Sequence, residues 1–129
     1  MAKLTFTENL ERGKSGINTK LSLLSFKEDG AYIIYSPALD LSGYGNTEEE
    51  AKESFHVVLE EFITYCMNKK TFYEELKRLG WHIKGGKTDP EIKSPDWTDL
   101  LKNNPELEDI LENKQFTKFN QEVNLPAFA

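Results

Sequence analysis

Few side chains here are equipped for chemistry. The chain has two histidines, His56 and His82, and one cysteine, Cys66. Neither histidine has a Cys or His at ligand spacing, so no metal site is expected from them. Cys66 continues an apolar stripe (Ala51, Phe55, Val58, Leu59, Phe62) and reads as a buried small hydrophobe rather than a nucleophile. Asp40, just after an apolar run, is the best-placed acid. A two-metal nuclease needs several carboxylates around its ions, and only Asp40, Asp29 and glutamates at a helix start are candidates. Non-catalytic behaviour without cofactor or metal is therefore expected.

Two stretches raise the question of phosphate. Gly13-Lys14-Ser15 has the tail of a phosphate loop, but Glu8 stands where that pattern needs its first glycine. Gly43-Tyr44-Gly45 precedes a helix start, where free amides can hold an anion. Here Thr47 and Glu50 form a capping box that occupies those amides, and Glu48, Glu49 and Glu50 repel phosphate. The glycines are expected to let the chain turn tightly from sheet to helix.

Charge narrows the partners. The 129 residues hold 22 Asp and Glu against 16 Lys and Arg, a net charge of −6, which argues against a strongly basic nucleic-acid binder. The distribution is uneven. Residues 69–93 are net +3, with Lys69, Lys70, Lys77, Arg78, Lys84 and Lys87 as candidate RNA contacts, whereas residues 94–122 are net −4. Tyr32, Tyr35 and Tyr44 could stack bases. The pattern instead assigns Tyr35 to the core and Tyr32 beneath another element, with Trp81 and Trp97 also in the core. A lone cysteine, an N-terminus without a long apolar run and the lack of a membrane-length apolar segment give a cytoplasmic protein with no membrane partner as the expectation.

Residues 1–129 are read as a single domain. Leu4 and Phe6 alternate with polar neighbours as a short first strand. Lys20–Lys27 and Ala31–Ser36 are two strands joined by Asp29-Gly30, a type I′ hairpin signal that pairs Phe26 with Ile33 and Leu24 with Tyr35. One face then carries Leu24, Phe26, Ile33 and Tyr35; the other carries Leu21, Leu23, Tyr32 and Ile34. Both are apolar, so each needs a cover. The helix from Thr47 is expected on one of them. Thr71 to Glu74 is a second capping box, Gly80 ends that helix, and Trp81–Lys84 reads as a strand before a Gly85-to-Pro90 loop. Ser94-Pro95 and Asn104-Pro105 start two short helices, and Phe119–Leu125 is a last strand. The fold expected is α+β: an antiparallel sheet of three to four strands under one long helix, with a C-terminal extension of short helices and a final strand.

Tyr32-Ile33-Ile34-Tyr35-Ser36-Pro37, followed by Gly45-Asn46-Thr47-Glu48-Glu49-Glu50-Ala51, resembles the N-terminal domain of HicB-type antitoxins, over roughly residues 19–84. In that family two hairpin strands, a proline and a glycine loop lead to a Gly-x-Thr-x-Glu-Glu-Ala helix start. Ala38-Leu39-Asp40-Leu41-Ser42 replaces the family's Asp-Leu-Pro-Gly-Cys, and the DNA-binding module that usually follows has no counterpart among the short acidic helices of residues 94–112. The resemblance implies a β-β-β-α-β core over residues 17–84, assembly as a dimer or tetramer, and neutralisation of a small RNA-cleaving, HicA-like toxin by covering it. Residues 85–129 are expected to pack on this core or on a neighbouring chain. The Leu21, Leu23, Tyr32, Ile34 face, with Phe119, Val123 and Leu125, is the expected partner interface. A single-stranded RNA-binding protein is the alternative.

Overall fold

The structure, a computed structural model, describes residues 16–84 and 91–126. The Leu4–Phe6 strand, the Gly13-Lys14-Ser15 stretch, Lys87 and the loop around it lie outside these residues. Strand β1 (Gly16–Glu28) turns at Asp29-Gly30 into β2 (Ala31–Ser36). Both turn residues have positive φ, 53° and 84°, as a type I′ turn demands. The register is the expected one, with Leu24 opposite Tyr35 and Phe26 opposite Ile33.

After a turn through Pro37–Asp40, β3 (Leu41–Gly45) pairs antiparallel with β2. Gly43 and Gly45, read from sequence as part of a turn, lie in this strand. Neither has a positive φ. The helix that follows crosses β3 so closely that a Cβ on Gly43 would stand 2.2 Å from the Phe55 nitrogen. One on Gly45 would stand 2.5 Å from the Ala51 nitrogen. These glycines are needed for their missing side chains rather than for backbone freedom.

Helix α1 (Glu48–Lys69) is followed by α2 (Phe72–Arg78), β4 (His82–Lys84), β5 (Glu91–Lys93), α3 (Trp97–Asn103), α4 (Pro105–Asn113) and β6 (Phe116–Pro126). The main sheet is wholly antiparallel, in the order β3-β2-β1-β6. Its fourth strand is the final one, which runs beside β1 in an unbroken register from Phe26 opposite Phe116 to Gly16 opposite Pro126. The strand just after the helices, β4, pairs with β5 in a separate two-stranded sheet. The fold is thus α+β, with a long helix after three strands.

Each face of the sheet has its own core. Leu21, Leu23, Ile34, Val123 and Leu125 are buried with Ala51, Phe55, Leu59, Ile63 and Cys66 of α1, and with Phe72, Leu76 and Trp81. On the reverse, Leu24, Phe26, Ile33 and Tyr35 are buried with Leu100, Leu107 and Ile110, backed by Trp97 and Leu111. This corrects the expected interface. Leu21, Leu23, Ile34, Val123 and Leu125 are each at most 1% exposed, and Tyr32 and Phe119 are half-buried against the same core. That face is roofed by α1 of its own chain, because Gly43 and Gly45 let the helix lie flat there. The short helices of the extension cover the opposite face.

The helix starts follow local chemistry. Thr47 Oγ1 accepts the Glu50 N–H at 3.1 Å. The Glu50 carboxylate reaches back to the Asn46 N–H at 3.0 Å, one residue ahead of the cap. Asp96 caps α3 and Asn104 caps α4, with Pro105 in its first turn. The second expected capping box does not form: Thr71 makes no side-chain cap bond. Its backbone, φ −119° and ψ 10°, lacks the extended ψ of a capping residue. Among the described residues, no helix is long and apolar enough to cross a membrane.

Candidate functional site

Where the Pro37–Asp40 turn meets the end of α2 and the α3–α4 corner, a cleft of about 520 Å³ opens. Asp40, Arg78, Asp99 and Glu106 supply its charged lining, and Pro37, Gly80, Pro95 and Pro105 its rigid rim. The local sequence dictates the corner. The Asp40 N–H bonds the Ser36 carbonyl at 2.7 Å, and the Leu39 N–H bonds Ser36 Oγ at 3.3 Å. Asp40 itself is left-handed, φ 55°, a conformation that aspartate tolerates better than most residues.

A relay of hydrogen bonds runs from the second core to the cleft. The Leu107 N–H donates to Asn104 Oδ1 at 3.1 Å, and Asn104 Nδ2 donates to the Tyr35 hydroxyl at 2.7 Å. The Tyr35 hydroxyl donates to Asp40 Oδ1 at 2.8 Å. Burial pushes the Tyr35 phenol well above its ordinary range; the Asn104 bond opposes this, and the Asp40 charge adds to it. Tyr35 therefore stays protonated and holds the carboxylate as a donor. Arg78 is committed elsewhere, its Nε and Nη2 both on Glu75 Oε1 at 3.1 and 2.8 Å. That hydrogen bond holds the Glu75 carboxyl below its usual value and raises Arg78. With Arg78 paired to Glu75, the cleft has an excess of negative charge. Its charged lining is three carboxylates, Asp40, Asp99 and Glu106, against the one guanidinium of Arg78.

The other residues singled out by sequence are scattered. The α1 N-terminus is closed by its cap, and Glu48 accepts the Ser25 hydroxyl at 3.0 Å as well as Lys52 at 3.3 Å. His56 is half-buried on α1, 4.0 Å from Glu60, and His82 is exposed on β4. Cys66 is buried, which pushes its thiol up; the Glu75 charge adds to the shift and the Thr71 bond opposes it. No cluster of three His, Cys, Asp or Glu suited to a metal ion occurs among the described residues.

Lys69, Lys70, Lys77, Arg78 and Lys84 are exposed around the C-terminal end of α1, α2 and β4. Of the tyrosines considered for stacking, Tyr35 is core, Tyr32 is half-buried with Lys27 Nζ over its ring, and Tyr44 is exposed. Tyr65, which sequence reasoning passed over, is 61% exposed with Lys69 Nζ 5.5 Å from its ring centre. Its position about a quarter turn off the apolar stripe of α1 was the available signal. The Asp40 cleft was half visible: the acid stood out, but Asn104, Asp99 and Glu106 come from a distant segment with nothing in its sequence to tie it there.

No protein-family model, curated protein or solved structure matches this chain, so the functional reading rests on its own geometry and on the resemblance described above.

Proposed function

We propose that this protein is a non-catalytic interaction module of the HicB antitoxin kind, which neutralises a small basic RNA-cleaving partner by covering it. The observation that carries the reading is the acidic cleft of Asp40, Asp99 and Glu106 on a chain of net charge −6. A protein that grips RNA must present cations to phosphates. An acidic surface can occupy those cations and so compete with RNA. The capped start of α1, packed onto glycines of β3, supports the resemblance around Gly45-Asn46-Thr47.

The test is co-expression with a small basic protein encoded beside it, followed by co-purification and titration. The expected result is a stable complex that weakens as salt rises and loses about tenfold affinity in Glu106→Lys, where an attractive charge pair becomes a repulsive one. A partner that binds both forms alike, or none that binds at all, sinks the proposal.

One observation favours a second reading. Tyr65 and Lys69 place an exposed ring beside a cation, with the exposed Lys70 following in the chain, as a single-stranded RNA platform would. RNA retention that falls steeply with salt and with Tyr65→Ala would move the assignment there.

A further inference from the structure

We infer that residues 96–114, which carry α3 and α4, form a lid that lifts off the sheet as one unit while the rest of the chain stays folded. This goes beyond the antitoxin reading and does not depend on it. The two covers of the sheet are built differently. Helix α1 has 22 residues and lies on β3 backbone to backbone at Gly43 and Gly45. The lid has helices of seven and nine residues, too short to stand alone in water. It seats on the sheet through Leu100, Leu107 and Ile110, with Trp97 and Leu111 half-buried beside them. A crevice of about 30 Å³ remains where Trp97 and Leu100 meet Leu21 and Ala38.

The polar ties of the lid lie on side chains. Asn104 Nδ2 donates to the Tyr35 hydroxyl at 2.7 Å, and Lys114 Nζ pairs with Glu28 at 2.8 Å. Lys118 Nζ of β6 stands 4.5 Å from the Trp97 ring centre. The lid's own backbone bonds close on itself, from Leu100 to Asp96, Glu108 to Asn104 and Lys114 to Ile110. Among the described residues, no backbone hydrogen bond joins it to the sheet. Charge loosens it further. In α4, Glu106 and Asp109 are three apart and Glu108 and Glu112 four apart, like-charge pairs that repel along a helix.

Both ends of the lid are fixed, because β5 before it pairs with β4 and β6 after it pairs with β1. It therefore opens as a strap held at two points, and uncovers Leu24, Phe26, Ile33 and Tyr35. Opening also takes the cleft apart. Asp40 and Arg78 belong to the body, whereas Asp99 and Glu106 ride on the lid. Anything gripped from both sides binds the closed form and holds the lid down.

Hydrogen exchange of the full chain in low guanidinium tests this. Amides of α3 and α4 are expected to exchange through one shared opening with a common denaturant slope. Their protection should lie about a hundredfold or more below that of the slowest amides of α1. Ile63→Val weakens the other core, which stays intact in the open and the closed form alike. It is expected to speed the slowest α1 amides about threefold and to leave α3 and α4 unchanged. Leu107→Ala is expected to speed α3 and α4 about thirtyfold or more, with α1 still protected. A second measurement compares thiols on the two faces, each relative to its rate in the unfolded chain. The thiol of Ile33→Cys, under the lid, is expected to react with a disulfide reagent about tenfold or more faster than Cys66, buried on the other face. Lid amides as protected as those of α1, or speeded by Ile63→Val, overturn the inference. So do lid amides without a denaturant slope, the mark of two helices fraying separately, and so do equal labelling rates.

Discussion

The backbone nitrogen of Phe55 lies 2.2 Å from where a side chain on Gly43 would begin. The contact is backbone against backbone, and neither strand β3 nor helix α1 can yield without disturbing a core. Gly43→Ala is therefore expected to cost about 3 kcal/mol or more, at the high end for overpacking. Gly30→Ala, where the Cβ meets nothing but φ is 84°, is expected to cost about 1 kcal/mol. Urea midpoints of the two variants check the order. An unaltered Gly43→Ala would mean that α1 rides higher over the sheet.

Trp81 ties the helical layer to the β2–β3 turn. Its indole N–H donates to the buried Ala38 carbonyl at 2.8 Å, across 43 positions of chain. Trp81→Phe keeps most of the apolar volume and strands that carbonyl, for an expected loss of about 1–3 kcal/mol. Denaturation followed by circular dichroism reads it.

Asp40 should separate charge from geometry. Asp40→Asn keeps an acceptor for the Tyr35 hydroxyl and a residue type that tolerates left-handed backbone, so its stability should shift by less than about 0.5 kcal/mol. Asp40→Ala loses both and is expected to cost about 1–2 kcal/mol. If both variants unfold at the same denaturant concentration as wild type, the relay from Asn104 contributes nothing.

Alkaline pH should loosen the fold. Cys66 and Tyr35 both titrate higher folded than unfolded, with ordinary values of 9.0 and 10.0. A raised folded value means the native state holds the proton more tightly. Its stabilising share is thus whole below the ordinary value and drains away as pH climbs above it. Stability should begin to fall above pH 9 with Cys66 and more steeply above pH 10 with Tyr35 and with Tyr73, which burial also raises. Tyr35→Phe should flatten the second part, measured as melting temperature against pH. A slope unchanged by that substitution would remove Tyr35 as its source.

Sequence made the local features legible and left the tertiary choices open. Asp29-Gly30 set the hairpin register, and Thr47 with Glu50 marked the start of α1, because both signals act within four or five residues. A third strand before α1 was implied by the resemblance alone; pattern missed its residues, because Leu41-Ser42-Gly43-Tyr44-Gly45 has weak strand propensity and owes its glycines to a helix passing overhead. The choice of cover was illegible for a related reason. Both faces of β1 and β2 are apolar, and period two does not say which one a helix selects. Thr71 had the right spacing for a cap, but its ψ of 10° departs from the extended backbone that turns a cap side chain onto the helix amides. The candidate cleft divides likewise: Asp40 stood out, whereas Asn104 and Glu106 reach it only through the folding of α3 and α4.

The neighbour that completes the sheet is made late. Ser22 on β1 bonds Asn120 on β6, 98 positions further along. As the ribosome works from one to the other, β1 has β2 on one side and bare amides and carbonyls on the other. The slowest step of folding should be this long-range zipping, and the nascent chain should be most prone to sticking to its neighbours just before the last strand emerges.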